Sequence, residues 1–138
     1  MIVQRMIDKV DLKEAFNTFK HCFTMFDFDT YLEKIYQNAY TYVAKIEDEI
    51  VGIIIFYAND FDTKTAFITL IEVNQAYRKH HIGKALMGEC FSISKSLGMQ
   101  KINLEVAKDN EGAIVFYKKL HFGTIGENND RYTMTRVC

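Results

Sequence analysis

The period of the hydrophobic positions changes along the chain, and the changes predict its elements. Over 67–73 (FITLIEV) apolar and β-branched residues dominate and partly alternate with polar ones, which predicts a strand. Over 82–97 apolar residues recur every three or four positions, which predicts a helix. Gly98 follows, and glycine takes the left-handed conformation of a helix stop without steric cost. Between strand and helix lies a short basic turn, YRKHHIGK. This order makes an anion site, because first-turn N–H groups lack intrahelical acceptors and the helix dipole favours negative charge.

The flanking segments read in the same way. Residues 2–7 predict a short edge or second strand. Asp11 as N-cap with Glu14 three positions on forms a capping-box pattern for a helix whose face carries Leu12, Ala15, Phe16, Phe19, Phe23 and Phe26. A second short helix is predicted over 28–39, with Leu32, Ile35 and Tyr36 inward. Residues 40–46 and 50–57 predict an antiparallel hairpin around Glu47, Asp48 and Glu49, and its second arm, IVGIIIFY, is apolar enough for the middle of a sheet. Strands over 66–73 and 100–106 enclose the long helix. Asn110 is a candidate N-cap for a helix over 111–120, and 122–125 and 131–137 are short final strands.

A strand–helix–strand crossover sets its two strands parallel, whereas hairpins are antiparallel. The predicted fold class is therefore α+β: a mixed, mainly antiparallel central sheet flanked by helices. A chain of 138 residues with 49% apolar content suits one domain, residues 1–138, with a real core.

Composition narrows the function classes. Proline is absent, and neither a linker nor a low-complexity tail is visible. No apolar run approaches the roughly 18 residues of a membrane span, and the N-terminus lacks a signal-peptide layout, so a cytoplasmic protein with no membrane partner is expected. Cys22, Cys90 and Cys138 are odd in number and widely spaced, which suggests neither a disulfide framework nor a metal cluster, and no metal is expected. Residues 1–73 carry 7 Lys/Arg against 12 Asp/Glu, a net −5; residues 74–108 carry 6 against 2, a net +4. The positive block falls on the anion turn, while the acid excess elsewhere argues against a nucleic-acid surface. A dinucleotide fold is disfavoured by the missing G-x-G-x-x-G run, and Gly83-Lys84 has no phosphate-loop sequence around it.

Two segments carry a family resemblance. LIEVNQAYRKHHIGKALM (70–87) is an apolar strand ending in Val73, then Tyr-Arg, a short basic loop and an apolar helix; NEGAIVFYKKLHF (110–122) contains Asn110, Ala113, Tyr117 and Phe122 in an Asn-x-x-Ala-x-x-x-Tyr pattern. In this order the segments resemble the GNAT superfamily, the acetyl-CoA-dependent N-acetyltransferases, over nearly the whole chain. Arg78, His81 and Gly83 sit where that family usually shows Gln/Arg, Gly and Gly/Ala. Two glycines of the family pattern are replaced here by His81 and His121, and Lys79 fills a further loop glycine position.

The resemblance implies an acetyl-CoA-dependent transfer of acetyl to a primary amine by direct attack. It also implies a parallel strand pair that splays at the cofactor. Ile71 and Val73 would lie along the pantetheine, with the Val73 N–H at the thioester carbonyl. Lys79, His80, His81, Ile82, Gly83 and Lys84 would cradle the pyrophosphate with help from Arg78. Asn110, Ala113 and Tyr117 would complete the cofactor site, Tyr117 also serving as general acid for the thiolate. Glu72 is the candidate general base, although strand alternation sets it on the face opposite Ile71 and Val73. The −5 front half suggests a small, cationic amine as acceptor, with Asp27, Asp29 and Glu33 on its wall. A protein N-terminus or lysine as acceptor, and a non-catalytic acyl-CoA-binding module, are the alternatives. A homodimer through the terminal strands or exposed aromatics is a further expectation.

Overall fold

The computed structural model describes residues 1–23, 27–78 and 81–138. The strands are β1 (Ile2–Arg5), β2 (Tyr40–Ile46), β3 (Glu49–Asp60), β4 (Thr65–Val73), β5 (Lys101–Ala107), β6 (Gly123–Asn128) and β7 (Arg131–Val137). The α-helices are α1 (Lys9–Thr18), α2 (Phe28–Asn38), α3 (Ile82–Ser96) and α4 (Glu111–Lys119). Among the described residues the strands form one sheet in the order β1-β2-β3-β4-β5-β7-β6. Every neighbouring pair is antiparallel except β4 and β5, which run parallel on either side of the α3 crossover. This is the mixed, mainly antiparallel sheet flanked by helices that the hydrophobic pattern predicts.

β3 is buried on both faces, as its composition predicts. Ile53 and Ile55 pack with α1 and α2, whereas Ile54 and Phe56 pack with α3. The alternation slips near the start of the strand, where Ile50 shares a face with Ile53. A bulge explains it: Ala44 pairs with Gly52 but Lys45 with Ile50, which leaves Val51 as the extra residue. Each fully buried isoleucine contributes about 1.5–3 kcal/mol of hydrophobic stabilisation. Gly52 is the one position in β3 where a side chain would not fit. A Cβ there would lie 2.8 Å from Ile82 Cγ2 and 3.0 Å from Leu86 Cδ1, so glycine lets α3 settle onto the sheet.

Three local expectations are corrected. Asp8, not Asp11, caps α1, accepting a 2.9 Å hydrogen bond from the Asp11 N–H. The pair Asp8 and Asp11 has the capping spacing itself, and starting there adds part of a turn to the helix. The helix also ends at Thr18 instead of running on through 26, and a 3₁₀ turn, Lys20–Phe23, follows. The break lets Phe23 fold back onto Phe16 with ring centroids 4.3 Å apart. Seven residues of continuous helix would separate these residues by about 10 Å along the axis. Phe26 lies outside the described residues. Tyr36 does not point inward: it is 43% exposed, with the Lys9 ammonium 5.2 Å from its ring centroid. Gly98, at φ +83°, ends α3 as expected.

Candidate active site

The site begins where two parallel strands part. β4 and β5 are paired only from Thr65 with Lys101 to Ile68 with Leu104. Beyond that point β4 continues to Val73, still held by β3, and β5 continues to Ala107, held by β7. A cleft of about 740 Å³ opens on this side, and Ile71, Glu72 and Val73 form part of its wall.

The N-terminus of α3 forms a second wall through His81, Gly83 and Lys84. α1, α2 and α4 are each capped by a side chain, that of Asp8, Asp27 or Asn110. His81, the N-cap of α3, makes no side-chain cap hydrogen bond. The first-turn N–H groups of Ile82, Gly83 and Lys84 therefore lie before the helix ladder, whose first bond is Ala85 N–H to the His81 carbonyl at 3.2 Å. That turn contains no acidic residue. His81 has φ +58° and ψ +23°, the left-handed conformation for which glycine is usually chosen. Histidine is among the non-glycine residues that enter this region, so the backbone path is kept and the side chain stays exposed. Ile82 differs from the expectation in one respect: its side chain is fully buried beneath the sheet, and only its backbone N–H is available to the site. Lys79 and His80 lie outside the described residues.

The third wall is α4. Asn110 accepts a 3.1 Å hydrogen bond from the Ala113 N–H and so starts the helix, as predicted. Asn110, Ala113 and Tyr117 all line the cleft. Tyr117 is only 8% exposed, and its ring packs against Phe116 and Phe122. Burial, reinforced by the nearby Glu72 carboxylate, pushes its phenol up to about 12, so the group is neutral at physiological pH. His121, the other histidine in a glycine position, has φ +70° just past α4 and is exposed.

Glu72 is held at the end of β4. Its Oε1 accepts from Arg78 Nη2 at 3.1 Å, and Arg78 Nε donates to the Val73 carbonyl at 3.3 Å. Oε2 lies 4.0 Å from the Cys22 thiol. Leu70, on the same strand face, packs with the α1–α2 cluster, whereas Ile71 and Val73 pack with the α3 cluster. The alternation read from the sequence is thus preserved, and Glu72 looks toward the turn Lys20–Phe23. A carboxylate, a thiol and the His21 ring converge there, with donor atoms within 4.8 Å of one another. Sequence spacing gave no sign of this grouping, because Glu72 is fifty residues from Cys22.

Asp27, Asp29 and Glu33 do not line the cleft. Asp27 caps α2 and Glu33 pairs with Lys9. Conversely, Gly112, Phe116, Lys119 and Leu120 line the cleft without having been singled out. Ala113, Phe116, Tyr117 and Leu120 follow three- and four-residue spacing, so extending the period of the α4 motif would have found two of them. Phe116 also meets α3: a Cβ on Gly83 would lie 3.2 Å from its Cζ.

The model of the acetyltransferase (GNAT) family matches residues 10–122, and the chain belongs to that family. Its fold is similar to that of Ard1 from Thermoplasma volcanium, at 22% identity, TM-score 0.79 and coverage of 99% of this chain and 96% of that one. It is also similar to the ribosomal-protein-S18-alanine N-acetyltransferase of Escherichia coli, at 17% identity, TM-score 0.80 and coverage of 99% and 94%. PaiA N-acetyltransferase from Thermoplasma acidophilum, solved in complex with coenzyme A, matches at 17% identity and TM-score 0.76 over 100% of both chains. At these identities the likeness is one of fold. A segment of 63 residues is 40% identical to the uncharacterized N-acetyltransferase CgeE of Bacillus subtilis (strain 168), covering 46% of this chain and 24% of that protein. No helix among the described residues is long and apolar enough to cross a membrane.

Proposed function

We propose that the chain is an acetyl-CoA-dependent N-acetyltransferase that transfers acetyl to a primary amine by direct attack. One observation carries this reading: the parting of β4 from β5 opens a cleft bounded by the helix terminus whose N-cap supplies no capping side chain and by a buried, neutral phenol. The cleft suits the donor. The N–H groups of Ile82, Gly83 and Lys84, with the α3 dipole, fit a pyrophosphate, and the apolar sides of Ile71, Val73, Ala113 and Phe116 fit a pantetheine arm. Bound acetyl-CoA supplies the activated acyl group.

The chain's own groups then have separate duties. The Val73 backbone N–H holds the thioester carbonyl oxygen as negative charge develops on it. Glu72 takes a proton from the incoming ammonium at a carboxylate oxygen, leaving the amine lone pair free to attack. Tyr117 holds a proton on Oη and gives it to the departing sulfur. The net −5 of residues 1–73 favours a cationic small molecule as acceptor over an anionic one. The test is coenzyme A release, followed by thiol detection, with acetyl-CoA and a panel of polyamines, aminoglycosides, amino acids and peptide N-termini. Turnover with a cationic amine is expected. Acetyl-CoA binding without turnover on any amine would reduce the chain to a binding module.

A further inference from the structure

We propose that His21, Cys22 and Glu72 form a binding site for a zinc-class divalent cation at the edge of the cleft. The residues supply one nitrogen, one sulfur and one oxygen donor, and these lie within 4.8 Å of one another. That donor set selects zinc or a neighbouring first-row ion over magnesium or calcium, which prefer oxygen alone. The sulfur–oxygen edge is close to what such an ion needs, and the exposed His21 can rotate to bring its nitrogen in. Cys22 Sγ and Glu72 Oε2 are 4.0 Å apart. In a tetrahedron with metal–sulfur and metal–oxygen bonds of about 2.3 and 2.1 Å, the same edge is about 3.6 Å. A side-chain adjustment of a few tenths of an ångström closes the difference.

The two oxygens of Glu72 are already divided in the way a metal ligand requires. Oε1 is held by Arg78 Nη2, which leaves Oε2 as the free donor on the cysteine side. An outer partner of this kind fixes the orientation of a ligating carboxylate. Without a cation the contact does little, since a thiol is a weak donor and 4.0 Å is a long approach even for sulfur. Binding replaces the Cys22 S–H proton, which passes to solvent, by a sulfur–metal bond, so a thiolate and a carboxylate together neutralise the ion. His21 is exposed, and the remaining coordination position stays open to water. The site does not rest on the acetyl-transfer reading, but it shares Glu72 with it: a carboxylate oxygen bound to the ion is not free to take a proton from the amine.

The experiment is a Co²⁺ titration of the tag-free chain, kept reduced with a non-thiol reductant and free of acetyl-CoA. A thiolate-to-cobalt charge-transfer band saturating at a single equivalent, together with intense visible bands of tetrahedral cobalt, is expected, and Zn²⁺ should abolish both. Cys22→Ser should remove the charge-transfer band, while Cys138→Ser should keep it. Loss of an outer partner alone costs about 10–100-fold in metal affinity, so His21→Ala, a change at an exposed side chain, should weaken Co²⁺ binding at least as much. Absence of the band in the unmodified chain, its survival in Cys22→Ser, or unchanged affinity in His21→Ala would overturn the site.

Discussion

Arg78 folds back along the end of β4 and grips it twice, through Nη2 to Glu72 Oε1 at 3.1 Å and through Nε to the Val73 carbonyl at 3.3 Å. One guanidinium thus ties the proposed base to the residue proposed to hold the thioester. The pair is largely solvated, with side-chain exposures of 58% and 29%, so its weight in folding is small. Arg78→Ala should change stability by less than about 1 kcal/mol in urea denaturation, within the range of exposed ion pairs. It should nevertheless lower kcat/KM about tenfold or more, equivalent to about 1.4 kcal/mol of transition-state stabilisation. Arg78→Lys should not restore the rate, because an ammonium cannot reproduce the planar two-point contact. Equal turnover in the alanine variant would remove Arg78 from the site.

Tyr117→Phe tests the proton donor. The phenol is buried and neutral, and the substitution keeps the ring packed against Phe116 and Phe122. Loss of a general acid typically costs about 10²–10⁴-fold. The rate of coenzyme A release should fall within that range, while acetyl-CoA affinity by calorimetry stays within about twofold. A fall in affinity with kcat unchanged would make Tyr117 a binding residue instead.

His81 occupies left-handed backbone at φ +58°. A non-glycine residue there costs on the order of 1 kcal/mol, partly offset by the lower unfolded-state entropy of histidine relative to glycine. His81→Gly should therefore leave the urea midpoint unchanged or slightly higher, with acetyl-CoA affinity kept or improved. His81→Val, β-branched in the same conformation, should lower both. The pair of variants separates the backbone requirement at this position from any duty of the imidazole.

Alkaline stability should report the buried protons. Burial pushes Tyr117 from its ordinary 10.0 to about 12 and Cys90 from 9.0 to about 12. Cys22 rises from 9.0 to about 11, by burial first and then by Glu72. The unfolded chain loses these protons at lower pH than the folded chain, so unfolding releases protons and stability falls as pH rises. Their contribution is complete below pH 9 and is lost progressively toward pH 12. Tyr117 alone accounts for on the order of 3 kcal/mol, at about 1.4 kcal/mol per pH unit of displacement. Urea midpoints measured from pH 7 upward should stay level and then drop beyond pH 9, with a shallower drop in Cys90→Ala and in Tyr117→Phe. A midpoint independent of pH across that range would contradict the burial of these groups.

Much of this site was legible before any fold was known, because it rests on short-range relations. The period change around 73–82, the cap at Asn110 and the stop at Gly98 depend on residues a few positions apart, and all are found as read. The alternation that opposes Glu72 to Val73 also survives, since a strand allows no other arrangement. The misreadings arose where long-range packing competed with local preference. The helix read over 12–26 ends at Thr18, and the turn that follows stacks Phe23 on Phe16.

By itself, then, the sequence determined the element order, the family and two of the segments that line the cleft, all of which follow from local periodicity and contiguous motifs. Only the tertiary structure decided what faces Glu72. Strand pairing carries that carboxylate to the end of β4, and the break after α1 swings His21 and Cys22 onto it from fifty residues away. No local pattern encodes such a meeting, because it depends on the segment after α1 settling on the same sheet face to which β4 turns Glu72. The splay of β4 from β5 is likewise a property of pairing: it exists because β3 and β7 each retain one strand after the two have stopped holding each other.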